Sequence, residues 1–454
     1  MGYSLDQLGW LQFQQLCTQL LELEGGLPGS AWAGGSDRCR SALSDAPLGP
    51  PLLRYAIPGP VVLQCAWVSP ESERRLDAIV QRLADERGQD LRQASSYLLL
   101  CNAELDHPLQ APARSERLRV SVLGGRELGE RIDARPELRR AMPSLLGLRP
   151  LEELIEPALD RRSSLHRDAA RELASVFVPT RAHRRALDVL AEYRFVVLTG
   201  PPEMGKTAIA RMVALAQQTC GWEAHECTSP EAVFSAFDRG RAQVFIADDA
   251  FGSTEYRPDA AERWARAIER LLRSLDKRHW LIWTSRPAPL RAALRRLHRE
   301  RGAERFPAPA SVLVDASDLD IAEKTLILFR HAKAAQLGLN VRYAIRFRGP
   351  EIVANGHFTP ERIRRLIARL RDCDEDVSEA TERELTTATD AMAASFSALG
   401  REHRDLLVAL LDTPPGPVAE RELIAALRRH HDGSLSHQPA ELVDRLTDHF
   451  LRVT

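Results

Sequence analysis

The residue types that could do chemistry in this chain cluster in one short stretch, Gly200, Pro201, Pro202, Glu203, Met204, Gly205, Lys206 and Thr207. The stretch fits the spacing G-x-x-x-x-G-K-[ST] at every fixed position, the pattern of a loop that wraps a polyphosphate. Two glycines let the backbone approach the phosphates without a Cβ in the way. Lys206 supplies a compact positive charge for the β- and γ-phosphates, and the Thr207 hydroxyl is a hard oxygen ligand for Mg²⁺. Downstream, an apolar run over residues 243–247 ends in Asp248 and Asp249. Asp248 is placed to hold the Mg²⁺ shell with Thr207, and Asp249 to orient the attacking water. The shorter arm of an Asp, where many ATPases carry Glu, points to slow hydrolysis. A third run, residues 280–286, ends in Thr284, Ser285 and Arg286. Arg286 either bridges to a γ-phosphate or pairs with a neighbouring acid.

Such groups work only if elements of the right kind present them. Residues 194–199 are apolar and β-rich and predict a buried strand. The segment opening at Ala208 predicts a helix whose first turn completes the cofactor-binding set. Strand, glycine loop and helix aim backbone N–H groups and a helix N-terminus at the phosphates. The runs at 243–247 and 280–284 read as further parallel strands, each delivering its polar end to one edge of the sheet.

With 454 residues, the chain has room for several domains. A net charge of −1 advertises no polyanionic partner for the molecule as a whole. The Arg-rich run 291–305 alternates with Leu and Ala and reads as a solvated helix face. No apolar run is long enough to span a bilayer, and the start lacks a signal core, so no membrane and a cytoplasmic location are expected. Seven cysteines without C-x-x-C pairs fit a reducing compartment and argue against structural zinc. Only four of the 62 basic residues are lysines (206, 277, 324 and 333), and none precedes Lys206.

The pattern divides the chain into an α/β multidomain protein. Residues 1–140 predict an α/β domain: a leucine-spaced helix from Leu5 to Leu23, a Gly/Pro/Ser-rich stretch over 25–51, strands at 61–67, 95–102 and 118–124, and an amphipathic helix over 71–87. Residues 141–172 read as a helical connection. The P-loop α/β nucleotide-binding domain runs over 173–310, and a mostly helical lid over 311–375, with Thr359 as N-cap and Pro360 at the first turn of its last helix. An acidic, Thr-rich segment over 374–390 reads as a linker or exposed helix. Residues 390–454 read helix, turn, helix, loop, helix, which suits a winged-helix-like C-terminus. Its histidines, His430, His431, His437 and His449, fit no metal spacing and read as surface groups.

Together with Phe177-Val-Pro-Thr180 and His357-Phe-Thr-Pro-Glu-Arg-Ile363, these motifs resemble a STAND NTPase, one of the signalling ATPases related to AAA+ proteins and NLR receptors. The resemblance is greatest to bacterial antiviral STAND proteins and spans residues 173–454. It implies an ATP/ADP switch, closed with ADP and oligomeric with ATP, with Phe177 and Val178 near the adenine. Proteins of that architecture continue into a repeat region that senses a trigger. This chain stops at Thr454, so a separate sensor or effector subunit, or a shortened chain, is expected. Residues 1–140 resemble a restriction-endonuclease-like domain of the Mrr type, through residues 10–16, 34–42 and 61–67. Such nucleases need carboxylates and a lysine around Mg²⁺. Here Gln14, Ser41 and Ala66 stand at those positions, with Asp37 and Glu24 the acids that remain. Three losses together point to natural decay rather than an engineered inactivation, and to a domain used for DNA binding or protein contacts. Two other readings are an ATP-dependent DNA-binding regulator or initiator using the winged helix, and an ATP-gated DNA endonuclease.

Overall fold

In a computed structural model of the chain the described residues are 2–27, 32–33, 39–68, 88–103, 118–165, 167–252, 258–287, 289–291, 293–294, 309–372, 376–387, 393, 396–413, 417–431 and 435–446. The helix expected over 71–87, residues 295–305 of the Arg-rich run, Asp37 and His449 lie outside them. The chain divides into two compact units, Met1–Leu154 and Ile155–Thr454. No described helix is long and apolar enough to cross a membrane.

The first unit is built on a five-stranded sheet in sequential order: β1 (Trp32–Ala33), β2 (Cys39–Ser44), β3 (Val61–Ala66), β4 (Ser96–Cys101) and β5 (Arg119–Leu123). β1, β2 and β3 pair antiparallel, and β3, β4 and β5 parallel. Strand periodicity sorts the side chains to two faces. Val61, Leu63, Cys65, Leu98 and Leu100 join one apolar cluster, and Val62, Ala66, Tyr97, Leu99 and Cys101 another. The first cluster is covered by α1 (Trp10–Gly25) through Phe13, Leu16, Cys17, Leu20 and Leu21.

The structure corrects the sequence in two places here. The helix expected from Leu5 is broken: Leu5–Leu8 is a 3-10 turn, Gly9 stands at φ +75°, and only then does α1 begin. The left-handed φ at Gly9 resets the phase, which leaves Leu23 half exposed and buries Gln12 and Gln14. β2 lies inside the stretch read as Gly/Pro/Ser-rich, because its mixed small and polar residues carry no clear alternation.

The second unit carries five parallel strands in the order β10–β6–β9–β8–β7: β6 (Phe195–Thr199), β7 (Glu223–Glu226), β8 (Gln243–Ala247), β9 (His279–Ser285) and β10 (Leu313–Asp315). β6, β8 and β9 are almost wholly buried, as helices on both faces of a parallel sheet require. Trp283 packs edge-on against Phe195, Phe251 and Trp264. The helices used below are α2 (Gly125–Ala134) in the first unit and, in the second, α3 (Arg167–Val176), α4 (Arg181–Tyr193), α5 (Lys206–Gln218), α6 (Pro258–Ser274), α7 (Ile321–Ala334), α8 (Leu339–Ala354), α9 (Pro360–Asp372), α10 (Val377–Thr386), α11 (Arg401–Leu411), α12 (Glu420–His430) and α13 (Pro439–Leu446).

Several boundaries differ from the sequence reading. β10 pairs with β6, so residues 313–315 belong to the nucleotide sheet although they fall in the segment read as helical lid. Three residues are too few to show a period. The connection over 141–172 does not stand apart. Leu145 and Leu148 join the core of the first unit, while Ser163 and Ser164 hydrogen-bond along β7 in the second. The acidic segment after 374 is the packed helix α10. Its Glu384 is buried and receives Arg369 at 2.8 Å and Arg365 at 3.2 Å from α9. Arg362 donates to the backbone carbonyls of Glu384 and Thr387.

At the C-terminal end α11, α12 and α13 enclose Leu406, Ala409, Leu423, Leu427, Leu442 and Leu446. Among the described residues there is no strand to make a wing. The histidines here are not idle surface groups. His431 pairs with Asp405 at 2.7 Å, His437 with Glu402 at 2.7 Å, and His430 with Asp412. No group of three or more acids, histidines or cysteines fit for a metal occurs among the described residues.

Candidate functional site

β6 ends at Thr199 and the chain turns through the loop before α5 opens at Lys206. The loop needs its glycines. Gly200 sits at φ +139°, and a Cβ there would meet Asp315 Oδ1 at 3.1 Å; Gly205 sits at φ +84°. Glu203 also takes a left-handed φ of +67°. Lys206 is buried and donates through Nζ to the carbonyls of Gly200 (2.9 Å) and Pro201 (2.7 Å). Burial pulls its ammonium down from 10.5 to about 8, against the pull of Asp249, Asp248 and Asp315 in the opposite direction.

The strand order decides what faces this lysine. β9 lies between β6 and β8, so its tip stands between the loop and the acids of β8. Thr284 at that tip is fully buried. Its hydroxyl donates to Asp248 Oδ1 at 2.6 Å and accepts from the Asp249 backbone N–H at 2.9 Å. The Thr207 hydroxyl donates to the same Asp248 Oδ1 at 2.8 Å. Two threonines, one from each flank, thus aim one carboxylate oxygen. Asp249 holds a left-handed φ of +45°, and burial together with the adjacent Asp248 raises its carboxyl pKa. Arg286 is lowered by burial, partly offset by Asp249 and Glu203.

Arg286 is readable from the sequence at this strand end. Thr284, which joins both acids, belongs to the same polar tip. Its signal was available: a hydroxyl at the C-terminal end of a strand that must neighbour the loop.

Beside the loop opens a cavity of 850 Å³. Its walls are the end of α3 with Phe177, Val178 and Thr180, the stretch from Glu203 to Ile209, and residues of α7 and α9. Phe177, Val178, Glu203, Met204, Gly205, Lys206, Thr207 and Ala208 share this cavity, whereas Gly200, Pro201, Pro202, Asp248, Asp249 and Arg286 do not line it. The size suits a drug- or nucleotide-sized ligand, for which about 300–1,000 Å³ is usual.

Sequence reading did not find the lid side of this cavity. Arg364 of α9 lines it and is held by Glu361 at 2.6 Å. His331 of α7 lines it too, its pKa pushed down to about 4 by burial and by Arg364. An imidazole this depressed is neutral near pH 7, a donor at one nitrogen and an acceptor at the other. Phe177 meets the ring of the fully buried His183 edge-on at 5.3 Å, which fixes the cavity wall.

The donor set suits a polyphosphate with a hard cation. A threonine hydroxyl and a carboxylate oxygen lie within hydrogen-bond distance of one another, and Mg²⁺ is typically held by one or two carboxylates plus phosphate oxygens and waters. Glycine-conferred curvature, a helix N-terminus and Lys206 together make an anion cradle.

In the first unit the β2–β3 register sets Ser41 opposite Gln64 and Cys39 opposite Ala66. Ser41 thus pairs with Gln64, two residues from Ala66, and none of the three is an acid or a lysine. Gln64 accepts a hydrogen bond from the Tyr97 hydroxyl, and Gln14 is buried. Glu24 is a structural acid: it pairs with Arg131 of α2 at 2.9 Å and with Arg135 at 3.1 Å.

A family-model match covers the loop, the acids and Arg286. Residues 177–334 match the family model described as Novel STAND NTPase 3. No curated protein is similar to the chain in sequence. Among solved structures, a RuvB mutant of Thermotoga maritima shares 19% identity, with 61% of this chain and 86% of that one covered, at a TM-score of 0.32. A Walker-type ATPase of Pyrococcus abyssi shares 13% identity over 64% of this chain and 93% of that one, at a TM-score of 0.42. The Orc1 protein of Aeropyrum pernix, solved in complex with DNA, shares 15% identity over 64% and 85%, at a TM-score of 0.31. These three are partial likenesses at low identity. Over residues 177–334 it is to a STAND NTPase, a nucleotide-binding phosphate-loop protein, that this chain is similar.

Proposed function

We propose that the second unit binds ATP and ADP with Mg²⁺ and works as a slow, switch-like ATPase. The observation that carries this reading is the convergence of Thr207 and Thr284 on Asp248 Oδ1 beside the buried Lys206. In this reading the backbone from Gly200 to Gly205 cradles the phosphates, and Lys206 turns from its own loop carbonyls to the β- and γ-phosphates. Thr207 and Asp248 hold Mg²⁺, which neutralises the phosphate charge. Asp249 orients the attacking water, its carboxyl pKa raised by burial and by the adjacent Asp248. Arg286 reads the γ-phosphate. Phe177 and Val178 form the wall against the adenine.

The lid belongs to the same switch. α7 and α9 line the cavity together with the phosphate loop, so a nucleotide there touches both loop and lid and couples its state to lid position. We assign the output to assembly with copies of itself or with a separate sensor or effector subunit, in prokaryotic antiviral defence. The first unit then serves as a nuclease-fold scaffold without nuclease chemistry, since Gln14, Ser41 and Ala66 offer neither metal ligand nor lysine.

The test is the mass of the full chain in solution with ADP and then with ATP and Mg²⁺, beside Lys206→Ala. Growth with ATP alone, absent in the variant, supports the switch. ATP turnover with no change of mass under any nucleotide would remove assembly from the account.

A further inference from the structure

The hairpin of α7 and α8 has a charge pattern that the nucleotide site does not use. Between Glu323 and Glu351 the chain carries Lys324, Arg330, Lys333, Arg342, Arg346 and Arg348, and no Asp or Glu. This local excess stands within a chain of net charge −1. Two of the chain's four lysines lie in it. On α8 the basic residues interleave with large apolar ones. Leu339, Tyr343 and Phe347 follow one another at i, i+4 and i+8, and they are 62%, 66% and 89% exposed. At 100° per residue, Leu339, Arg342, Tyr343, Arg346 and Phe347 fall within an arc of about 140°.

From Leu339 to Phe347 the packing of α8 is done by Ile345 on the opposite side, and Ile352 and Val353 are buried only in the last turn, beyond Pro350. The face is therefore surplus to the fold. Arg342 and Arg346 are exposed, and among the described residues neither is engaged in an ion pair, whereas Arg348, turned away, pairs with Glu351 at 2.9 Å. Lys333 at the end of α7 lies 6.0 Å over the Phe329 ring, which extends the cationic and aromatic character onto the neighbouring helix.

An exposed Phe and Tyr on a soluble helix call for a partner. Aromatic rings and arginines are also enriched at protein–protein interfaces, so it is the one-signed charge of the hairpin that points to the partner. Here guanidinium groups sit between the rings, and the hairpin carries no acid between Glu323 and Glu351. That arrangement fits a partner with flat π surfaces and a repeated negative charge. A single strand of nucleic acid presents both, with bases to stack on the rings and phosphates for the arginines. A duplex keeps its base faces stacked inside and would leave the rings idle.

We propose that the exposed face of α8 formed by Leu339, Arg342, Tyr343, Arg346 and Phe347 binds single-stranded nucleic acid, by stacking on Tyr343 and Phe347 and by phosphate contacts to Arg342 and Arg346. The surface lies outside the nucleotide cavity and goes beyond the switch reading, so it stands or falls independently of ATP binding.

The experiment is fluorescence anisotropy of a labelled oligothymidylate with the full chain. Binding should weaken steeply as salt rises from about 50 to 200 mM. Phe347→Ala and Tyr343→Ala should each weaken binding about fivefold or more, as loss of one stacking ring does. Arg346→Glu should lower the slope of log affinity on log salt by about 0.7 or more. All three positions are exposed, so melting temperature and nucleotide binding should stay at wild-type values and serve as the control for folding. Unchanged affinity in every variant would overturn the assignment, because the strand would then be bound elsewhere. Equal affinity for a duplex of the same length would overturn the single-strand reading. Tighter binding of polyglutamate than of the oligonucleotide, lost in the same variants, would overturn it in favour of an acidic polypeptide.

Discussion

Replacing Thr284 by Val keeps the shape of a fully buried side chain and removes only its hydroxyl. That hydroxyl makes two bonds, to Asp248 Oδ1 at 2.6 Å and from the Asp249 N–H at 2.9 Å. A hydrogen bond to a charged group contributes about 1.5–3 kcal/mol, and a buried donor left unpaired costs about 1–3 kcal/mol. The two losses share one environment, so a net destabilisation of about 3 kcal/mol is expected. For a unit of this size that corresponds to a fall in melting temperature of about 5–10 °C without nucleotide. The functional loss should be separate and larger than stability alone explains. Asp248 keeps only the Thr207 donor and Asp249 loses the bond that helps hold its left-handed backbone, so Mg²⁺-dependent nucleotide binding or turnover should drop about 10–100-fold, as for loss of a partner that orients a metal ligand. Differential scanning calorimetry and phosphate release at a temperature where both proteins are folded separate the two effects. Thr284→Ser restores the hydroxyl and should recover turnover with a residual stability loss of about 1 kcal/mol. A Thr284→Val protein that melts and turns over like the wild type would refute the argument that this residue organises both acids.

Three further outcomes follow from the same geometry. Nucleotide affinity should fall as pH rises through about 8, by up to tenfold per unit, since Lys206 is held at about 8 against an ordinary 10.5 and loses its charge there; a flat titration from pH 7 to 9.5 would contradict this. The linkage sign for folding is opposite: between about 8 and 10.5 only the unfolded chain keeps that proton, so Lys206 alone makes the fold gain stability with rising pH. Glu384→Ala should destabilise the lid by about 1–3 kcal/mol, because Arg365 and Arg369 lose a buried partner, with limited proteolysis within α9–α10 as the readout; unchanged protection would show the pair to be dispensable. The full chain with Mg²⁺ should not cleave plasmid DNA, and cleavage that disappears on Glu24→Gln would overturn the reading of Glu24 as a structural acid paired with Arg131 and Arg135.

The parts of this molecule that were legible in its sequence are those where local chemistry and burial agree. The phosphate loop is readable because each position has a separate requirement: glycine for φ, lysine for charge, threonine for a hard oxygen. β6, β8 and β9 are readable because a strand buried on both faces must be apolar throughout. β7 is the contrast. Its Glu223 is buried yet satisfied by Arg162, Arg241 and Gln243, all distant in sequence, so its four residues look like loop. β10 was hidden by its length, and the break at Gly9 by a leucine spacing that continues through it.

At the site, the two acids and the loop could be named singly, but their meeting depends on β9 lying between β6 and β8. Strand order is a property of the whole sheet, which is why Thr284 did not stand out. The lid residues His331 and Arg364 were hidden for a related reason: they reach the cavity from helices that start more than a hundred residues beyond the loop.

The central claim is that the loop, Asp248 and the adjoining cavity form one nucleotide site. Isothermal titration of the full chain with ATP and Mg²⁺, beside Lys206→Ala, tests it most directly. The account predicts one site per chain, dependence on Mg²⁺, and loss of binding in the variant with its fold intact by circular dichroism. Unchanged affinity in a folded Lys206→Ala protein would contradict it.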